Sequence, residues 1–143
     1  MEYRHILVAL EMSDDSKILI DRATFFANKL ETELSFVYID GTHGEIYPEL
    51  VDIQQNNGDL PVNDDAIKHL REFEAYAKQP VQHIFVGTGD LNDKLKDAVK
   101  THNIDLMLCG HHHDFWHKII SHSKQLIDSS PVDILVVPMD YSS

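Results

Sequence analysis

Five short apolar runs recur along the chain, separated by stretches of helical periodicity. Ile6-Leu7-Val8-Ala9-Leu10 is unbroken, which suits a strand covered on both faces. Ser13-Asp14-Asp15 offers side-chain acceptors to the free amides of a first helix, with acid charge at its positive end. Leu19, Ala23, Phe26, Ala27 and Leu30 make one buried stripe on that helix. Leu34, Phe36, Val37 and Ile39 form a second strand, ended by Asp40-Gly41. Asp64 or Asp65 begins a second helix with an apolar face of Ala66, Leu70, Phe73 and Ala77, closed by Pro80. Val81, Ile84, Phe85 and Val86 make a third strand, broken by Gly87-Thr88-Gly89, after which Asp90 caps a helix carrying Leu91, Leu95, Ala98 and Val99. Ile104, Leu106, Met107 and Leu108 form a fourth strand. A fourth helix follows with Trp116, Ile119, Ile120 and Ile127, ended by Ser129-Ser130-Pro131. Ile134-Leu135-Val136-Val137 is the last strand, stopped by Pro138.

The pattern fails from Thr42 to Val62, where His43-Gly44, Tyr47-Pro48, a polar tract and Pro61 read as loop. Within it, Leu50, Val51 and Ile53 support a short helical turn. A connection this long either covers a site or partner surface or is a tolerated surface insertion. Strand and helix alternate four times before the final strand. That order needs right-handed crossovers, and so predicts an α/β fold: one open parallel sheet with helices on both faces. Residues 1–143 then form a single domain. The last strand has no helix after it, and an apolar edge is an aggregation hazard unless something pairs with it. Pairing with a second copy across a two-fold axis is the economical solution. The expectation is a homodimer through Val132, Ile134, Leu135, Val136, Val137 and Pro138.

Composition narrows the partners. A formal charge of −12, with no basic cluster to offset it, argues against nucleic-acid and anionic-membrane surfaces. The apolar runs are about strand length, so no membrane span is expected, and Met1-Glu2-Tyr3-Arg4-His5 does not read as a signal peptide. Cys109 stands alone, which excludes an intrachain disulfide and fits a reducing cytoplasm.

In a parallel sheet, ligands bind outside the carboxyl ends of the strands. Four turns meet there: Glu11-Met12-Ser13, Asp40-Gly41, Gly87-Thr88-Gly89-Asp90 and Gly110 to Asp114. Here the sequence resembles the universal stress protein family, in its A-type branch. The resemblance is carried by His5-Ile6-Leu7-Val8-Ala9, Gly87-Thr88-Gly89-Asp90-Leu91, Asp105-Leu106-Met107-Leu108-Cys109-Gly110-His111-His112, Asp114-Phe115-Trp116 and Val132-Asp133-Ile134-Leu135-Val136-Val137-Pro138. It implies a Rossmann-like, five-stranded parallel sheet of order 3-2-1-4-5 that dimerises through its last strand. The ATP-binding branch is similar in a glycine turn after the fourth strand. Gly110 fits its first position, but His113, Ser123 and Lys124 stand where two glycines and a hydroxyl residue belong. Those glycines let the backbone approach phosphates at clearances that a Cβ removes. The branch also carries an aspartate where this chain has Glu11. The resemblance thus implies a stress-response role through binding or regulation, without a cofactor, high-affinity ATP binding or turnover. Glu11, Gly87, Gly89, Gly110, His111, His112 and Asp114 outline the vestigial pocket. The partner is then a second copy, with an unidentified protein or small ligand beside it.

Two further readings stay open. In the first, Gly110 and the amides of Asp114 to Trp116 still hold a phosphate, making a nucleotide switch with slow hydrolysis. In the second, His113 and His117, one helical turn apart, sense a metal, with Cys109, Asp114 and His122 near in sequence. Adjacent residues do not all converge on one ion, and no metal is expected. Catalysis by His111 with Ser13, Ser121 or Cys109 lacks any nucleophile-elbow or cysteine-protease signature, so no catalytic residue is expected either. Cys109, at the end of an apolar strand, reads as a buried inert thiol.

Overall fold

The computed structural model describes residues 3–11, 13–40, 50–55, 64–88, 92–110 and 132–138. Its elements are β1 (His5–Ala9), α1 (Ser16–Leu30), β2 (Glu33–Asp40), β3 (Val51–Asp52), α2 (Asp64–Ala77), β4 (Ile84–Thr88), α3 (Asn92–Thr101), β5 (Leu106–Gly110) and β6 (Asp133–Val137). They build one sheet of order β3-β4-β2-β1-β5-β6. The five longer strands run parallel, in the order expected from the family resemblance. The fourth predicted helix, over Trp116 to Ile127, lies outside the described residues.

Period-two alternation splits the core into two layers. Ile6, Val8, Leu34, Phe36, Ile84, Val86 and Leu108 point to one face, where α1 packs with Leu19, Ile20 and Ala23 and α2 with Leu70 and Phe73. Leu7, Ala9, Val37, Phe85, Met107 and Cys109 point to the other, against Leu95 and Val99 of α3. Unbroken apolar runs are what a strand covered on both sides needs, and all of β1 is buried.

Three expectations are corrected. Val51–Asp52 is a strand, not part of a helical turn; it pairs antiparallel with β4 at Val51↔Val86 and Asp52↔Phe85. Asp52 explains why: its Oδ1 accepts the backbone N–H of Ile84 and of Gln54, both at 3.0 Å, which pins an extended segment to the outer side of β4. Leu30 is 42% exposed, because α1 ends there beside an open cleft and its apolar stripe stops at Ala27. At the α1 start only the serine of Ser13-Asp14-Asp15 is seen as a side-chain acceptor: Ser13 Oγ accepts the Asp15 N–H at 3.3 Å, while Asp15 makes no cap bond. The first amides instead donate to the carbonyls of Ser13, Asp14 and Asp15, which sit one tight turn earlier. Asp64 and Asp65 do occupy the first turn of α2. Among the described residues no helix is long and apolar enough to cross a membrane.

Candidate functional site

The order β2-β1-β5 places the reversal of the sheet between β1 and β5, the crevice where open α/β sheets take ligands. Glu11 lies just beyond β1 at that crevice. A buried serine clamps its backbone: Ser16 Oγ donates to the Glu11 carbonyl and accepts the Glu11 N–H, each at 2.8 Å. The Ser13 N–H reaches the same carbonyl, also at 2.8 Å, so the turn is held by its own residues. Gly110 ends the neighbouring β5, where it pairs with Val137. Cys109, fully buried, precedes it. Burial, and then the nearby Glu11 charge, push its thiol up to about 11, so it stays protonated and unreactive at neutral pH.

Gly87 lies one residue before the end of β4 at this side, separated from β1 by β2. The structure therefore brings Glu11 and Gly110 together and leaves Gly87 one strand further away. Gly89, His111, His112 and Asp114 lie outside the described residues, as do His113, His117 and His122 of the metal reading. Among the described residues no three metal-ligating side chains are arranged to hold an ion.

At the opposite end of the sheet the structure assembles a cluster that sequence reasoning missed. His5 at the start of β1, His83 just before β4 and His102 just after α3 converge around Ser35 of β2. The His5 Nδ1–H donates to the His102 carbonyl at 3.0 Å, leaving Nε2 to accept the Ser35 hydroxyl proton at 2.6 Å. Ser35 Oγ in turn accepts the His83 N–H at 3.1 Å. The His83 Nδ1–H donates to Asp52 Oδ2 at 2.6 Å, and its ring stacks on Phe85 and lies 4.4 Å from that of His102. Burial holds His5 below the usual histidine range, against the pull of the His102 carbonyl. Burial, then repulsion from His83 and His5, does the same to His102.

The missed signal was positional: His5 and His83 stand immediately before strand residues, and His102 two before Ile104. Parallel strands enter the sheet from one side, so residues just ahead of each strand meet at one edge. An open cleft of about 810 Å³ adjoins this cluster, with Arg4, Lys29, Glu31 and Glu33 on its walls. Its charges are mixed, and it lies away from the strand ends that bind ligands in such sheets.

A model of the universal stress protein family matches residues 2–138. The chain is 37% identical over 139 residues to universal stress protein A of Yersinia pestis, covering 97% of this chain and 94% of that protein. It is 34% identical over 139 residues to universal stress protein A of Escherichia coli strain K12, covering 97% and 96%. Among solved structures, a universal stress protein in complex with cAMP has a TM-score of 0.62 at 18% identity, covering 98% of this chain and all of that one.

Proposed function

The chain belongs to the universal stress protein family, and from that premise we propose that it acts in the stress response as a cytoplasmic homodimer. On this reading it works by binding or regulation, without turnover and without high-affinity ATP binding. The observation that carries the dimer is β6. Ile134, Leu135 and Val136 stay partly exposed on a strand that pairs on one side with β5, and no other described strand covers its outer side. Val132 and Val137 are already buried within the chain, so Ile134, Leu135 and Val136 are the apolar side chains left to meet a partner.

The weak affinity for ATP is supported by side chains where backbone would need to approach a phosphate: His113, Ser123 and Lys124 in place of two glycines and a hydroxyl residue. Glu11, with one more methylene than aspartate, narrows the same end of the sheet. The adenine-nucleotide switch stays as the second reading, because a structure of like fold was solved with cAMP; at 18% identity the fold alone is shared. Calorimetric titration of the purified protein with ATP and Mg²⁺ separates the two. The expected result is no heat of binding at ligand concentrations up to about 1 mM, a free energy weaker than about −4 kcal/mol. Saturation in the micromolar range overturns the first reading.

A further inference from the structure

We propose that His5, His83 and His102, with Ser35 and Asp52, form an acid-responsive latch that releases the segment 51–55 from the sheet when the cluster takes up a proton. The inference stands apart from the proposed function above.

The hydrogen-bond chain has one consistent proton arrangement. His5 donates at Nδ1 and accepts at Nε2; Ser35 donates to His5 and accepts from the His83 amide; His83 donates at Nδ1 to Asp52. A second proton on His5 turns Nε2 into a donor. Ser35, fully buried, then faces two donors, His5 and the His83 N–H, and its own O–H loses its acceptor. The oxygen has lone pairs for both donors, but the stranded O–H must turn to find a new acceptor, and the longer of the two contacts, His83 N–H to Ser35 at 3.1 Å, is the one that yields. A proton on His102 acts on the same residue, because its ring lies 4.4 Å from that of His83.

His83 is what the latch holds. Its ring carries Asp52, and Asp52 fixes the amides of Gln54 and Ile84. The segment has a second set of ties: Gln54 Nε2 donates to the Val81 carbonyl at 2.8 Å, and Arg71 donates to the Ile53 carbonyl at 3.1 Å. Those do not titrate near neutrality, so acid loosens one side of a two-sided attachment.

Facing charges oppose the release and are outweighed. Glu33 lies 3.8 Å from His5 Nδ1, Asp105 accepts the His5 N–H, and the Asp52 charge attracts a proton to His102. Burial still holds both His5 and His102 below the ordinary histidine range. The sign follows. The unfolded or opened segment binds these protons at higher pH than the closed one, so closure is complete above about 6.5 and is lost as pH falls through the depressed folded values.

Hydrogen exchange, corrected for the intrinsic pH dependence of amide rates, tests this on the intact chain. Between about pH 7.5 and about pH 5.5, protection of the Ile53, Gln54 and Ile84 amides is expected to fall about tenfold or more, with the Val8 amide unchanged. His102→Gln, at a partly exposed position, is expected to reduce that fall at least by half. His5→Gln, which keeps a donor and an acceptor, is expected to do the same if it folds. Equal protection at both pH values overturns the proposal. So does a uniform loss across the sheet, or a loss of the same size in wild type and His102→Gln.

Discussion

Ser35 commits both halves of its hydroxyl, donating to His5 and accepting from His83, in a place no water reaches. Removing it leaves a ring nitrogen and a backbone amide without partners. Ser35→Ala is therefore expected to cost about 1–3 kcal/mol, read as a lower urea midpoint at unchanged slope. Serine in a run such as Leu34-Ser35-Phe36 looks, in sequence, like a small polar interruption of a strand; its value comes from residues 30 and 48 positions away. Glu11 and Gly110 were legible because local rules place strand ends. The histidine cluster was not, because no spacing along the chain links positions 5, 83 and 102; only the strand order does.

Elements show the same division. The positions of the five long strands follow from apolar runs, and so does the burial of the inner ones, since a strand covered on both faces has one composition; β6 stays partly exposed. β3 escaped that reading because two residues make no periodicity, and its conformation is set by the Asp52 carboxylate and by β4. The end of α1 escaped it too: Leu30 continues the stripe in sequence but not in space. Helix ends also carry conformations that the residue types do not announce. Glu31, Lys78 and Asn103 all adopt left-handed backbone, at φ of 54°, 57° and 56°. Asparagine tolerates that region, whereas a lysine there costs roughly 1–2 kcal/mol, partly offset by the entropy a glycine would lose. Lys78→Gly is expected to stabilise the protein by about 0.5–1 kcal/mol, measured as a raised denaturation midpoint.

For the whole molecule, the decisive property is how its sheet meets the outside. The edge strand β6, with Ile134 and Val136 on one face and Leu135 on the other, all partly exposed, meets a second copy on the reading proposed above. A lysine on that strand places charge against its own symmetry mate, since a two-fold contact brings like to like. Ile134→Lys is expected to convert a dimer in native mass spectra to monomer while the circular dichroism of the folded chain persists. A wild-type chain that is monomeric at micromolar concentration rules the interface out.

The two-residue β3 has a consequence for how many copies such an assembly holds. A sheet open at both margins adds chains without limit, as a fibril does. Here β3 lies antiparallel along β4, with a carboxylate turned onto the ladder, and occupies the margin opposite β6. One margin is therefore blunted by the protein's own chain. On the dimer reading proposed above, growth by strand pairing then stops after a single addition, with Val51 and Asp52 as the stub that blunts the other margin.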